Sequence, residues 1–135
     1  MAAPTPYLLF PGTAREALSY YQQLFGGELE MHTFEEFGRT DGAPEAIAHG
    51  VLEGPVSLYG ADAGRGETPL SSSGLMFSLL GRHARSVLQG WFAALAEDGA
   101  VLDPLVERPW GASDGQVVDR FGLRWLIGFE GEETP

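Results

Sequence analysis

The sequence predicts an α+β fold made of two modules, each consisting of a strand, a helix and three further strands. Two observations predict it. A strand and helix near the start are followed by three strand-like segments, and the same order recurs in the second half. The stretch between the halves is rich in glycine and serine and is typical of a linker. We therefore expect a single domain, 1–135, built from modules 6–60 and 74–130 and joined by a linker at 61–73.

The first strand and helix are the most clearly marked elements. Residues 7–10 form a short apolar run, and the next apolar side chains recur at helical spacing until Gly26 and Gly27. Thr13 and Glu16 have the spacing of a capping box, in which two side chains satisfy backbone N–H groups of the first helical turn. The predicted apolar stripe consists of Ala14, Ala17, Leu18, Tyr21, Leu24 and Phe25.

Alternating apolar and polar residues predict three strands in the rest of the first module. They span residues 28–37, 45–53 and 56–59, with a Gly-Pro turn at 54–55. A simple alternation places Ile47, His49 and Val51 on one face of the middle strand. His49 therefore points toward the core or toward a cavity.

The second module repeats this order. The predicted elements are a strand at 75–80, a helix at 84–98, an extended segment at 100–107 and strands at 116–119 and 123–129. The alignment of the two halves equates Tyr7 with Phe77 and Leu58 with Leu126. This alignment predicts that the two hairpins are copies of one unit, with the last strand of each module in the same register.

Charge and residue types exclude several classes of function. Nineteen acidic residues and eight arginines give a net charge of −11, which repels nucleic acids and anionic membranes and attracts cations. Cysteine and lysine are absent, which excludes disulfides, thiolate chemistry and Schiff-base catalysis. No apolar run is long enough to span a bilayer. We expect a cytoplasmic protein without a nucleic-acid or membrane partner.

Short motifs spread over almost the whole chain carry a family resemblance. They are 6–10 (PYLLF), 14–17 (AREA) with Tyr20 and Tyr21, 25–29 (FGGEL), 47–49 (IAH), Trp91 and Phe92 with 94–96 (ALA), 110–111 (WG), and 119–122 (DRFG) with Trp125. With these motifs the chain resembles the vicinal oxygen chelate superfamily, which includes glyoxalase I, bleomycin-resistance proteins and extradiol dioxygenases. It is most similar to a branch named for a phosphonate-operon gene and also labelled 3-demethylubiquinone 3-methyltransferase-like. No glycine-rich cofactor loop supports the methyltransferase label.

The resemblance implies curved mixed sheets around a cavity between the two modules, helices on the outside, and a homodimer. Metal-binding relatives take His, Glu or Gln ligands from the first and last strands of each module. Carried over to this chain, those positions are Pro6, Leu58, Leu75 and Leu126, and none of them can bind a metal. We therefore expect no metal cofactor, which argues against glyoxalase, epimerase and dioxygenase chemistry.

Five residues are candidates for a ligand site. The resemblance and strand parity place Leu58, Asp62 and Leu126 at the cavity or its rim, and Trp125 in the core. His49 either acts in the cavity, as a hydrogen-bonding group or a base, or packs against its own sheet. Trp110 either covers a pocket from its Pro-Trp-Gly loop or packs in the core.

The sequence favours metal-free binding of a small organic ligand, and the negative charge favours a cationic one. Two alternatives stay open. One is a metal-dependent lyase, isomerase or dioxygenase whose ligands lie elsewhere in the chain. The other is an enzyme that uses His49 as a base without a metal.

Overall fold

Each half of the chain folds as a strand, a helix and three strands, as the sequence predicts. The computed structural model describes residues 4–71 and 73–131. Residues 1–3 and 132–135 of the predicted domain, and residue 72 of the predicted linker, lie outside the described residues. The chain divides into two units, Met1–Ser71 and Ser72–Pro135. Among the described residues, neither helix has the length and apolar character needed to cross a membrane.

The first unit is a four-stranded mixed sheet with one helix packed on it. Its elements are β1 (Tyr7–Phe10), α1 (Ala14–Phe25), β2 (Glu28–Thr33), β3 (Ile47–Glu53) and β4 (Leu58–Asp62). The strand order is β1-β4-β3-β2, with β1 parallel to β4 and the other pairs antiparallel. We call the sheet surface that packs on the helix of the same unit the helix face, and the opposite surface the open face. The core on the helix face includes Leu8, Phe10, Leu18, Tyr21, Leu52 and Leu58.

The second unit has the same topology. Its elements are β5 (Phe77–Leu80), α2 (Arg85–Glu97), β6 (Ala100–Glu107), β7 (Ser113–Val118) and β8 (Arg124–Phe129). The strand order is β5-β8-β7-β6, with β5 parallel to β8. Its core consists mainly of Leu88, Leu95, Val117, Leu123, Trp125 and Ile127. The prediction that Trp125 belongs to the core is confirmed, since this side chain is 1% exposed.

The bounds of β2 and β4 differ from the prediction. β2 ends at Thr33 because the next residues form a turn, in which the Phe37 N–H donates to the Phe34 carbonyl at 3.1 Å. β4 begins and ends later than expected, and the predicted linker starts inside this strand. The Leu70 N–H donates to the Leu9 carbonyl at 2.7 Å, so most of residues 61–73 is held by the first unit.

The Thr13 half of the predicted capping box at the start of α1 is wrong. No side chain of the cap itself bonds to the first helical turn. Instead the Ala14 N–H donates to Oδ1 of Asp62 at 2.9 Å. The physical reason is that the end of β4 delivers a carboxylate, a strong acceptor, directly to the helix N-terminus. A residue 48 positions away in the sequence therefore caps α1.

The internal repeat is confirmed in its topology, but the predicted alignment of the two halves is one residue out of register in the strands. Tyr7 lies on the open face of its sheet, whereas Phe77, the residue aligned with it, packs against the core residue Trp125 with ring centroids 5.4 Å apart. Leu58 is 2% exposed on the helix face, whereas Leu126 lies between the buried residues Trp125 and Ile127 and thus on the open face. Successive side chains of a strand point to opposite faces of the sheet. An alignment that is wrong by one residue therefore assigns each strand residue to the wrong face.

Candidate functional site

The open face of the first sheet carries most of the reactive side chains of its unit. Strand pairing places Tyr7 opposite Tyr59 and Tyr59 opposite Val51. Val51 in turn lies opposite Glu30 on β2. Because directly paired residues project from the same face of a sheet, these four side chains form one row across the open face.

Neighbouring rows add two histidines and two further carboxylates. His49 pairs with His32, and Glu53 pairs with Glu28. On β3 these residues lie two positions on either side of Val51, so they share its face. The first open face therefore combines tyrosines, histidines and glutamates.

His49 is paired with Tyr7 across the sheet. The Tyr7 hydroxyl lies 2.9 Å from His49 Nδ1. The two rings are stacked, with centroids 5.7 Å apart and planes 16° from parallel. Tyr7 is 48% exposed, so the pair is accessible from solvent. Partial burial raises the pKa of the Tyr7 hydroxyl; nearby Arg39 opposes this rise and Glu67 adds to it.

Glutamates line the β2–β3 side of the same face. The Tyr59 hydroxyl donates a hydrogen bond to Oε1 of Glu53, and this bond, followed by burial, raises the pKa of Tyr59. A shallow depression of about 320 Å³ lies here. It is lined by Glu28, Leu29, Glu30, Val51 and Glu53. The depression thus brings three carboxylates together, and one of them, Glu53, is bonded to Tyr59.

Both ring nitrogens of His32 contact glutamate carboxylates. Its Nε2 lies 2.9 Å from Glu30 Oε1 and its Nδ1 lies 2.9 Å from Glu36 Oε2. The bond to Glu36, then the bond to Glu30, raises the pKa of His32, and the same contact lowers the pKa of Glu36. His32 therefore serves as a partner for these carboxylates, which leaves His49 as the histidine on this face with a ring nitrogen to offer.

An ion-pair cluster joins two loops of the first unit. The Arg39 guanidinium bonds to both carboxylate oxygens of Asp41, at 2.9 and 2.5 Å, and to Glu67 at 3.2 Å. It also lies 4.1 Å from the centre of the Phe34 ring. Bidentate geometry gives such a pair a defined orientation, so the cluster fixes the charges that act on the Tyr7 hydroxyl.

The structure places the five predicted site residues in different environments. His49 lies on the open face, and Leu126 lies on the open face of the second sheet. Leu58 is buried against the helix and not at a cavity, so the parity argument is wrong for β4. Trp110 is 72% exposed in a turn closed by the Gly111 N–H and the Arg108 carbonyl, so it does not pack in the core of its unit.

Asp62 is 4% exposed, and both oxygens of its carboxylate accept internal hydrogen bonds. Oδ1 binds the Ala14 N–H, and Oδ2 binds the Ile47 N–H at 2.9 Å. The carboxylate thus ties the start of α1 to the start of β3. In this position it serves the fold of the first unit.

The expected grouping of Ile47 with His49 is also wrong. The β2–β3 pairing is irregular between His32 and Thr33, where β3 contains one extra residue. A side chain at Gly50 would meet both Leu18 of α1 and Ile47, so Ile47 belongs to the helix face. His49 consequently has fewer apolar neighbours on its face than simple alternation predicts.

Sequence reasoning missed Tyr7 as a site residue. The run Tyr-Leu-Leu-Phe is apolar throughout, so it contains no alternation that would show which residues face outward. The useful signal would have been the burial of Leu8 and Phe10, which only the packed helix reveals. The polar tip of Tyr7, which requires a partner, was the one indication in the sequence.

The next feature is the set of potential metal ligands. Within residues 4–71 and 73–131, no three His, Asp or Glu side chains come together in a group that could hold a metal ion. After the parity is corrected, the open-face residues of the first and last strands of each unit still include no imidazole or carboxylate. They are Tyr7, Leu9, Tyr59 and Ala61 in the first unit, and Ser78, Leu80, Arg124, Leu126 and Gly128 in the second.

Comparison with known proteins supports the assignment of the fold. No family model matches the chain. It is 34% identical to protein PA1353 from Pseudomonas aeruginosa, whose crystal structure superimposes with a TM-score of 0.79 over 98% of this chain and 100% of that one. The Escherichia coli protein YjdN is 29% identical over 91% of this chain and 92% of its own length.

More distant structures share the fold. The PhnB protein from Bacillus cereus superimposes with a TM-score of 0.76 at 21% identity, covering 95% of this chain and 99% of that one. A member of the glyoxalase/bleomycin resistance protein/dioxygenase superfamily from Sphaerobacter thermophilus gives 0.55 at 16% identity, over 96% and 98%. The chain belongs to the same family as PA1353. It shares its fold with members of the glyoxalase/bleomycin resistance protein/dioxygenase superfamily, which explains the two βαβββ units, whereas its chemistry has to be argued from the side chains described above.

Proposed function

We propose that this protein binds a small organic molecule carrying positive charge, without a metal ion, and that the open face of the first sheet supplies the binding groups. The observation that carries the proposal is the combination of residues on that face. The exposed ring of Tyr7 and the half-buried ring of Tyr59 lie in one row with Glu30, and Glu28 and Glu53 lie in the next row.

Aromatic rings and carboxylates together suit an organic cation. The face of a tyrosine ring attracts a cation electrostatically, and this attraction strengthens when the cation is partly desolvated. The glutamates add direct charge complementarity, and the net charge of −11 draws cations toward the protein as a whole. An anionic ligand would meet repulsion on the same surface.

The metal-free part of the proposal is supported by the available donors. A divalent ion that activates substrate needs three or four His, Asp or Glu ligands and an open position. The open-face residues of β1, β4, β5 and β8 supply tyrosine, serine, arginine and apolar side chains instead. His49 on β3 is paired with Tyr7 rather than with a carboxylate.

A binding screen tests the proposal. We expect at least one member of a panel of basic antibiotics and cationic metabolites to raise the melting temperature of the protein, because a ligand that binds the folded state stabilises it. Glu53→Gln should weaken this ligand, by roughly fivefold for one lost charge contact. Glu97→Gln, which makes the same charge change on the exposed end of α2, is the matched control and should bind normally.

Two results would contradict the proposal. One is a panel in which no cation changes the melting temperature. The other is an equal loss of affinity in Glu53→Gln and Glu97→Gln, which would show a general charge effect rather than a site. For the metal-free part, elemental analysis of protein purified without chelators should find no stoichiometric divalent ion.

The assembly is part of the proposal. The resemblance to homodimeric relatives supports a cytoplasmic homodimer, with a small molecule as the other partner. Light scattering of the purified protein should give twice the mass of the 14.5 kDa chain. A monomeric mass would remove the dimer from the proposal without affecting the ligand screen.

A further inference from the structure

We infer that Tyr7 is a positioning residue that holds His49 in the tautomer with its proton on Nε2, so that the first open face presents a neutral hydrogen-bond donor to a ligand. The inference rests on the proposed function for the existence of a ligand, but the tautomer is a property of the protein alone. It adds a second recognition element to the cation-binding groups, one that is specific for an acceptor oxygen.

The geometry of the pair supplies the first step. The Tyr7 hydroxyl and His49 Nδ1 are 2.9 Å apart, which is a normal hydrogen-bond distance. The stacked rings restrict the orientation of the imidazole. In the part of the chain that the structure describes, His49 Nε2 has no hydrogen-bond partner. One ring nitrogen is therefore committed to Tyr7 and the other is available.

The direction of the hydrogen bond follows from the chemistry of the two groups. A phenol is a strong O–H donor, whereas its oxygen is a weak acceptor because its lone pair is delocalised into the ring. An unprotonated imidazole nitrogen is a strong acceptor. The Tyr7 O–H therefore donates to Nδ1, and the single proton of the neutral imidazole resides on Nε2.

The two histidines of the first open face have different partners. His32 lies directly opposite His49 on β2, and its two nitrogens are held by Glu30 and Glu36. Glu30 and Glu36 therefore engage His32, while His49 engages the phenol of Tyr7. The two neighbouring histidines are thus prepared for different roles by their partners.

A defined Nε2–H group recognises a carbonyl or carboxylate oxygen. Without Tyr7, a neutral imidazole would populate both tautomers and would offer the ligand a donor only part of the time. A cationic ligand that also carries an acceptor oxygen can therefore use both the glutamates and His49. The glutamates bind the positive charge and His49 binds the acceptor oxygen, so this face selects ligands that carry both groups.

Nitrogen-15 NMR of the imidazole rings tests the inference without any ligand. The chain has three histidines, so a His49→Gln variant identifies the His49 signals. At about pH 8, where histidine is neutral, we expect Nδ1 of His49 to resonate as an unprotonated nitrogen and Nε2 as a protonated one. In Tyr7→Phe the two signals should move toward each other as both tautomers become populated.

Tyr59→Phe is the matched control, because it removes the hydroxyl of the neighbouring tyrosine in the same row, whose bond goes to Glu53. Its His49 signals should match those of the wild type. The inference is overturned if Tyr7→Phe leaves the His49 signals unchanged, or if the wild type shows a protonated Nδ1. Tyr7→Phe removes one half-exposed oxygen atom, and an unchanged pattern of backbone amide signals verifies that it folds. A failed ligand screen would count against the proposed function but would leave this result intact.

Discussion

The two units share a topology but present different chemistry on their open faces. The first carries the Tyr7–His49 pair and a group of glutamates. The second carries exposed apolar side chains at Leu80 and Val106, together with Arg108, whose charge is neutralised by aspartates on the same sheet at 2.8 and 2.9 Å. A shared fold therefore does not imply a shared role, and the groups suited to recognising a polar ligand are concentrated in the first unit.

The units also use their buried carboxylates differently. Asp119 closes the turn between β7 and β8 by accepting hydrogen bonds from the N–H groups of Phe121 and Leu123 and from Trp125 Nε1, at 2.8 to 3.1 Å. Asp62 instead joins the start of α1 to the start of β3. Each unit has a carboxylate that serves the fold, and neither carboxylate is presented on an open face.

The largest expected effect is on the stability of the second unit. Asp119→Ala would leave three hydrogen-bond donors without their acceptor, including the indole of a core tryptophan. We expect it to lower the free energy of unfolding by about 3–5 kcal/mol, as measured by urea denaturation. A loss below about 1 kcal/mol would mean that solvent replaces the carboxylate without penalty.

The corresponding change in the first unit should be smaller, because fewer donors depend on it. We expect Asp62→Ala to cost about 2–3 kcal/mol, since a helix N-terminus and one strand N–H lose their acceptor. Asp62→Asn keeps one acceptor oxygen and should recover about half of that loss. If both variants unfold like the wild type, Asp62 is available for ligand binding, as the sequence suggested.

The next prediction compares the effect on cation binding of removing one negative charge from each of the two open faces. For a cation found in the screen, Glu53→Gln should weaken binding by roughly fivefold, whereas Asp103→Asn on the second sheet should leave the affinity unchanged. Isothermal titration calorimetry measures both. The reverse pattern would move the site to the second unit, where a depression of about 330 Å³ lies beside Leu80 and Asp114.

The smallest effect concerns the pH dependence of the first unit. The bonds to Glu36 and Glu30 raise the pKa of His32 in the folded state, so its contribution to stability is fully present below the unfolded value of about 6.5. That contribution is lost as the pH rises through the raised folded pKa. His32→Gln should therefore flatten the dependence of the melting temperature on pH between about pH 6 and 8. A variant whose melting temperature follows the same pH profile as that of the wild type would contradict this.

The sequence predicted the overall plan because strong local signals agree with the fold. The helical stripe of α1, its end at Gly26, and the extended segment from Ala100 to Glu107 were all found at or near their observed positions. The sequence also predicts two modules of one topology. This prediction depends on the order of the helices and strands, which does not change when a strand boundary is wrong by one or two residues.

The site was harder to predict because it depends on parity and on long-range contacts. An alignment error of one residue assigns Leu58 to the open face and Tyr59 to the helix face, the reverse of their observed positions. The irregular pairing in β3 places Ile47 on the opposite face from His49. The Tyr7–His49 bond joins residues 42 positions apart, and no local pattern encodes it. His49 was identified as a candidate, but its partner could be found only from the folded sheet.

The most direct test of the account is backbone amide NMR during a titration with the cation that stabilises the protein most. The account predicts that the largest chemical-shift changes fall on β3 and β4 around His49, Val51, Glu53 and Tyr59, with the His49 Nε2 signal changing if the cation carries an acceptor oxygen. Changes confined to β5 through β8, or no saturable change with any cation, would contradict the claim that the first open face is the binding surface.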